Sequence, residues 1–114
     1  MSVFKHYLLI LAISFIPLIS IFIFKDLPHT HDGLVHLPRM AAYEKALING
    51  QILPRWTSDL NYGYGMRLFN FIYHTPYLLS SLLIMANIPL VLTFKLIISL
   101  SFLLSGITIF IFAR

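Results

Sequence analysis

"YLLILAISFIPLISIFIF", residues 7–24, runs for eighteen positions without a charge, between Lys5–His6 and Lys25–Asp26. As a helix at about 1.5 Å per residue it would be roughly 27 Å long, close to the thickness of a bilayer core. Pro17 falls inside the run and is expected to kink the helix, which a lipid-embedded helix tolerates better than a soluble one. A cleaved signal peptide is the competing reading. It fits less well, because the run exceeds the usual ~7–15 apolar residues and no small-x-small cleavage site follows.

The rest of the composition agrees with lipid as a solvent. Of 114 residues, 59% are hydrophobic and 11% charged, against roughly 25% charged in ordinary soluble domains. So short a chain cannot hide that much apolar surface in a core of its own. The net charge of +4 suits lipid headgroups or phosphate, and no basic patch is concentrated enough for nucleic acid. There is no cysteine, which excludes disulfides and thiolate metal sites.

Residues 25–74 hold all four acidic residues and four of the five histidines. Within them "PRMAAYEKALIN", residues 38–49, reads as helical, with Pro38 suited to a first turn and Gly50 to the C′ position. Extended back along the polar stripe, the helix is expected over about 34–49. "ILPRWTSDLNYGYGM", residues 52–66, reads as irregular loop because Pro54 and the glycines interrupt any regular ladder. "TPYLLSSLLIMAN", residues 75–87, is short for a crossing and predicts an interfacial helix over about 75–88. A second charge-free stretch, Leu96–Ala113, predicts a span over about 94–113. With two spans, Lys5 and Arg114 lie in the cytoplasm and residues 25–92 outside a plasma membrane, as the positive-inside rule prefers. A third crossing through residues 76–88 would place Arg114 outside. The expected fold class is therefore an all-α membrane protein, a single module of two transmembrane helices flanking a long external loop with juxtamembrane helices.

The chemistry concentrates in "HTHDGLVH", residues 29–36, and in the helix that follows. On one helix, Asp32, His36, Arg39 and Tyr43 are spaced i, i+4, i+7, i+11 and fall within about 60° of one another. Taken singly, they suit plain roles: Asp32 as a helix cap, His36 at the lipid boundary, Arg39 snorkelling to headgroups. Together they suit three chemistries. Asp32 with His36 could act as a general base. His29, His31, Asp32 and His36 could hold a divalent metal ion, although H-x-H without a sheet is a weak metal signal. Arg39, Arg55 and Arg67 could capture a phosphate, which guanidinium fits geometrically. Aromatics crowd the same region. Most suit an interfacial belt, whereas Trp56, beside Arg55 and ahead of a glycine-rich loop, suits stacking on a sugar ring or polyprenyl chain.

The stretch "HDGLVHLPRMAAYEKALINGQILPRWTSDLNYGYGMRLFNFIYHTPYLL", residues 31–79, resembles the first external loop of the large polytopic proteins labelled membrane protein, 6-pyruvoyl-tetrahydropterin synthase-related. The resemblance extends over nearly the whole chain and only the start of such a protein. It rests on His-Asp, the helix with His and Arg, and then "NGQ", "PRW", "YGYG" and "FNF". That family in turn resembles the GT-C glycosyltransferases, in which an acidic residue just after the first span is functional. Asp32 occupies that place. Many GT-C members carry two adjacent acidic residues, whereas Gly33 follows Asp32 here; this points away from direct metal use and leaves the general-base role. The resemblance implies an N-terminal fragment, inactive by itself, of an enzyme taking sugar from a polyprenyl-phosphate donor. Asp32 and His36 would be catalytic, and Arg39, Tyr43, Arg55, Trp56 and Arg67 would bind substrate. The alternatives are a small non-enzymatic membrane protein whose loop binds a partner and a metal-binding sensor loop.

Overall fold

The computed structural model describes residues 3–27 and 30–113. Among them it is all-helical, with four α-helices and one short 3-10 turn. The chain divides into two compact units, residues 1–28 with 95–114 and residues 29–94.

In the first unit, α1 (Val3–Ile23) faces the length of α4 (Leu90–Ala113) that follows residue 94. The contacts run in reverse order along the two helices. Tyr7 meets Phe110 edge-to-face with ring centroids 4.9 Å apart. Gly106 lies against Ser14 and Ile10. Lys95 Nζ donates to the carbonyls of Phe24 and Lys25, just past the end of α1. The pair is therefore antiparallel, and its chain-terminal ends lie together.

At 21 and 24 residues, the helices would each exceed the roughly 30 Å of a bilayer core. Only 6% and 11% of their apolar windows are buried, whereas a core helix of a soluble protein would be mostly buried. Polar side chains on them fold back on their own backbone. Ser20 donates to the Pro17 carbonyl, Ser99 to Lys95, Ser101 to Ile97 and Thr108 to Leu104, so these hydroxyls leave no unmet donor on an apolar face. The helices begin earlier than the expected spans 7–24 and 94–113. Lys5, which flanked the expected first span, lies inside α1.

The second unit is built on α2 (Gly33–Ile48) packed against α3 (Thr75–Met85). Ala42 and Ala46 on α2 and Ser80 and Ser81 on α3 are all buried. Both helices end in the same motif. Gly50 at φ +90° sends its N–H to Leu47 and Gln51 sends its N–H to Ala46. Asn87 at φ +64° and Ile88 repeat the pattern with Ile84 and Leu83. These are Schellman ends, which need a left-handed residue.

Helix α2 starts at Gly33 and not at Pro38. Pro38 is thus an interior proline, removing one backbone bond without ending the helix. The expected range of about 34–49 matches within a residue, while α3 stops at Met85, short of 88. Between the helices, Thr57 and Met66 exchange both backbone bonds, at 3.1 and 3.0 Å. They clamp a turn whose residues Asn61, Tyr62, Gly63 and Gly65 all have positive φ. The 3-10 turn Leu68–Asn70 then delivers Phe69 to the core.

Candidate functional site

Of the stripe, His36, Arg39 and Tyr43 face α3 and the residue before it, while Asp32 does not. His36 Nδ1 and the Tyr77 hydroxyl are hydrogen-bonded at 2.8 Å, and the Tyr43 hydroxyl and His74 Nδ1 at 3.0 Å. Phe69 sits between, edge-on to Tyr43 at 4.7 Å and to Tyr77 at 5.1 Å. Tyr73 stacks on Tyr77. Burial raises the pKa of both Tyr43 and Tyr77, and at Tyr77 the neighbouring Arg39 guanidinium offsets part of that rise. Two histidine–tyrosine pairs thus lock α2 to α3, with Arg39 beside one of them.

Tyr43, expected on a binding surface, is completely buried with its hydroxyl engaged. It holds the site together and is closed to direct ligand contact. Neither His74 nor Tyr77 was among the expected site residues. The available signal was position: His74 immediately precedes a Thr-Pro helix start, and Tyr77 falls in the first turn of that helix.

Asp32 stands at the N-cap position of α2 but makes no capping bond with its side chain. Thr30 does that work, its Oγ1 accepting the Gly33 N–H at 3.1 Å. The Asp32 carboxylate pairs with His31 Nδ1 at 3.1 Å, and both side chains are exposed. The expected partner, His36, is turned to Tyr77. The hydrogen bond from His31 is the main cause holding the Asp32 pKa below its ordinary value, with smaller help from the charges of His31, His36 and Arg39. The result is an ionised carboxylate at a helix N-terminus, uncommitted to the fold and open to solvent.

The other expected residues lie elsewhere. Gln51 clamps the chain at residues 55 and 56: its Oε1 accepts the Arg55 N–H at 3.1 Å, and its Nε2 donates to the Trp56 carbonyl at 3.0 Å. Trp56 lines a cleft with Lys45 and Asn49, at the C-terminal end of α2. Lys45 follows Asp32 by thirteen residues, on the order of 20 Å along a helix. Trp56 and Asp32 therefore do not share a site. Arg67 is exposed and precedes the 3-10 turn.

No group of three metal-ligating side chains occurs among the described residues; His29, one of the four considered as ligands, lies outside them. No protein-family model matches the chain, and no match to it is found among curated proteins or solved structures.

Proposed function

We propose that the chain is the N-terminal membrane module of a GT-C-like glycosyltransferase, with residues 25–92 outside the plasma membrane and the substrate a polyprenyl-phosphate sugar. The observation that carries this reading is Asp32: a charged carboxylate at the mouth of α2 that does no capping work. The antiparallel pairing of α1 with α4 supports two crossings, since it puts Lys5 and the Ala113 end of α4 on one side. Lys95, bonded to the carbonyls past α1, then sits at the opposite interface, where a span tolerates a charge best.

In the reaction, an acceptor hydroxyl oxygen attacks the anomeric carbon of the donor. The bond from that carbon to the phosphate oxygen breaks, and the electron pair leaves with polyprenyl phosphate. Asp32 accepts the hydroxyl proton. A carboxylate of lowered pKa is a weak base, so proton transfer comes late, after departure of the phosphate is well advanced. His31 orients the carboxylate, and Arg39 steadies the phosphate charge. His36 acts indirectly, fixing the face through Tyr77.

The test is transfer of radiolabelled sugar from a polyprenyl-phosphate donor by the complete protein in vesicles. Asp32→Asn is expected to lower transfer by about 10²–10⁴-fold, the usual worth of a general base, at unchanged protein level. Unchanged transfer per folded molecule refutes the assignment.

A second reading, a non-enzymatic membrane protein whose loop binds a partner, draws on Ile52, Tyr62, Tyr64 and Phe71, large apolar side chains more than 80% exposed in the second unit. Replacing these four with serine while transfer persists separates the two.

A further inference from the structure

On the flank of α2 away from the histidine–tyrosine pairs lies a cleft of about 190 Å³, whose walls include Lys45, Asn49, Gln51, Trp56, Ser58 and Asp59. It is smaller than the ~300–1,000 Å³ of sites for drug-sized molecules, so its occupant is a single ring and not a chain.

Its chemistry is specific. Lys45 Nζ donates to Asp59 Oδ2 at 2.6 Å, and Ser58 Oγ donates to Asp59 Oδ1 at 2.9 Å. A carboxylate has about four lone-pair sites and an ammonium three donors, so each keeps capacity for a ligand. One cation facing one anion leaves the cleft without net charge, which disfavours a phosphate or a lone cation. Lys45 and Asp59 are each about half exposed, and Asn49 adds an exposed amide.

The remaining wall is Trp56, about half exposed. It is held in advance of any ligand: Gln51 fixes its backbone, and its indole lies directly on the Cα of Gly65. A rigid aromatic face beside paired donors and acceptors matches a molecule with one apolar and one hydroxylated side. In a sugar ring the aliphatic C–H groups present partial positive charge to the negative face of the indole.

We infer that this cleft binds one neutral pyranose ring, with its C–H face on Trp56 and its hydroxyls on Asp59, Lys45 and Asn49. The site is separate from Asp32 and does not depend on the transfer reading. A protein that binds sugar here and transfers none would lose only that reading.

Trp56 is the single tryptophan of the chain, so its emission reports on the cleft alone. The full chain in lipid nanodiscs is titrated with a panel of methyl pyranosides, with glycerol and inorganic phosphate as controls. The expected result is a saturable change in Trp56 emission with at least one pyranoside and with neither control. Asp59→Asn should weaken half-saturation by at least about tenfold, as expected for a lost hydrogen bond to a charged group. Asn49→Ala should weaken it less, and it decides the matter if Asp59→Asn alters the emission of the unliganded protein. No saturable response to any pyranoside, an equal response to glycerol, a response to phosphate instead, or a response that neither substitution weakens would overturn the inference.

Discussion

Gly65→Ala tests how the Trp56 wall is built. Gly65 has φ +80°, and a Cβ placed on it would fall well inside contact distance of the indole Cζ2, 2.7 Å from Cε2 and 3.0 Å from Nε1. Ordinary carbon contacts are about 3.5–4.0 Å, so the ring must move by about an ångström or more. Left-handed backbone costs an alanine roughly 1–2 kcal/mol, and forcing a methyl into a filled contact adds about 1–3 kcal/mol. The combined cost is about 2–5 kcal/mol, borne by a loop whose closure depends on the Gly65 N–H to Leu60 bond and the adjoining Thr57–Met66 pair. Gly63→Ala is the matched control, because Gly63 has φ +86° and open space where a Cβ would stand. It should show the backbone cost alone. The assays are Trp56 emission with acrylamide quenching and the rate of limited proteolysis within residues 57–66. Gly65→Ala should raise both quenching and cleavage, and Gly63→Ala should raise cleavage only, by a smaller factor. Equal quenching in the two variants would show that the indole does not rest on Gly65, and the preorganised wall would be lost with it.

The ion pair at the cleft should respond to acid. The Lys45 hydrogen bond is the main cause holding Asp59 below 3.8, with Ser58 assisting. Its stabilising contribution is thus present above pH 3.8 and is lost as pH falls through the lower folded value. An acid titration of Trp56 emission should show a step below pH 3.8 that Asp59→Asn abolishes. At the other end of the scale, burial raises Tyr43 and Tyr77 above 10.0, so the stability they lend is intact below pH 10 and declines as pH rises toward their folded values. Difference absorbance at 295 nm should lose its most alkaline component in Tyr43→Phe and Tyr77→Phe. Finally, a Cβ on Gly106 would lie 2.5 Å from Ser14 Oγ, which can rotate away, but 3.5 and 3.6 Å from Ile10 Cγ2 and Ser14 Cβ. Gly106→Ala should therefore preserve the α1–α4 pairing. Gly106→Leu should abolish the disulfide cross-link between Tyr7→Cys and Phe110→Cys, since small residues are what let such helices approach.

The helices were legible wherever one local signal determined them. The charge-free runs gave α1 and α4, Gly50 gave the end of α2, and the apolar run from Thr75 gave the start of α3. Lys95 fell near the start of the expected span, and α4 begins five residues before it, where its ammonium reaches the carbonyls of Phe24 and Lys25. Pro38 looked like a helix start, but a single missing N–H is offset where the surrounding turns bury Met40, Ala42 and Tyr43. At Asn87 a left-handed residue other than glycine ends α3, three residues before the expected limit and two before Pro89.

For the site, helical periodicity placed His36, Arg39 and Tyr43 on one face but could not say what that face meets. The answer came from α3, whose His74 and Tyr77 reverse the expected roles. His36 is turned from Asp32 to a tyrosine, and Tyr43 becomes core. The same geometry explains why Trp56 could not join the stripe. Counted around α2 at 100° per residue, Lys45 and Asn49 lie roughly 110–155° from its centre, so a loop held against them faces another direction. A helix that must bury its Tyr43 side against α3 leaves only its flank for Trp56 to cover. Packing on one face thus creates the cleft on the next, and a catalytic role for Asp32 and a binding role for Trp56 can fail independently.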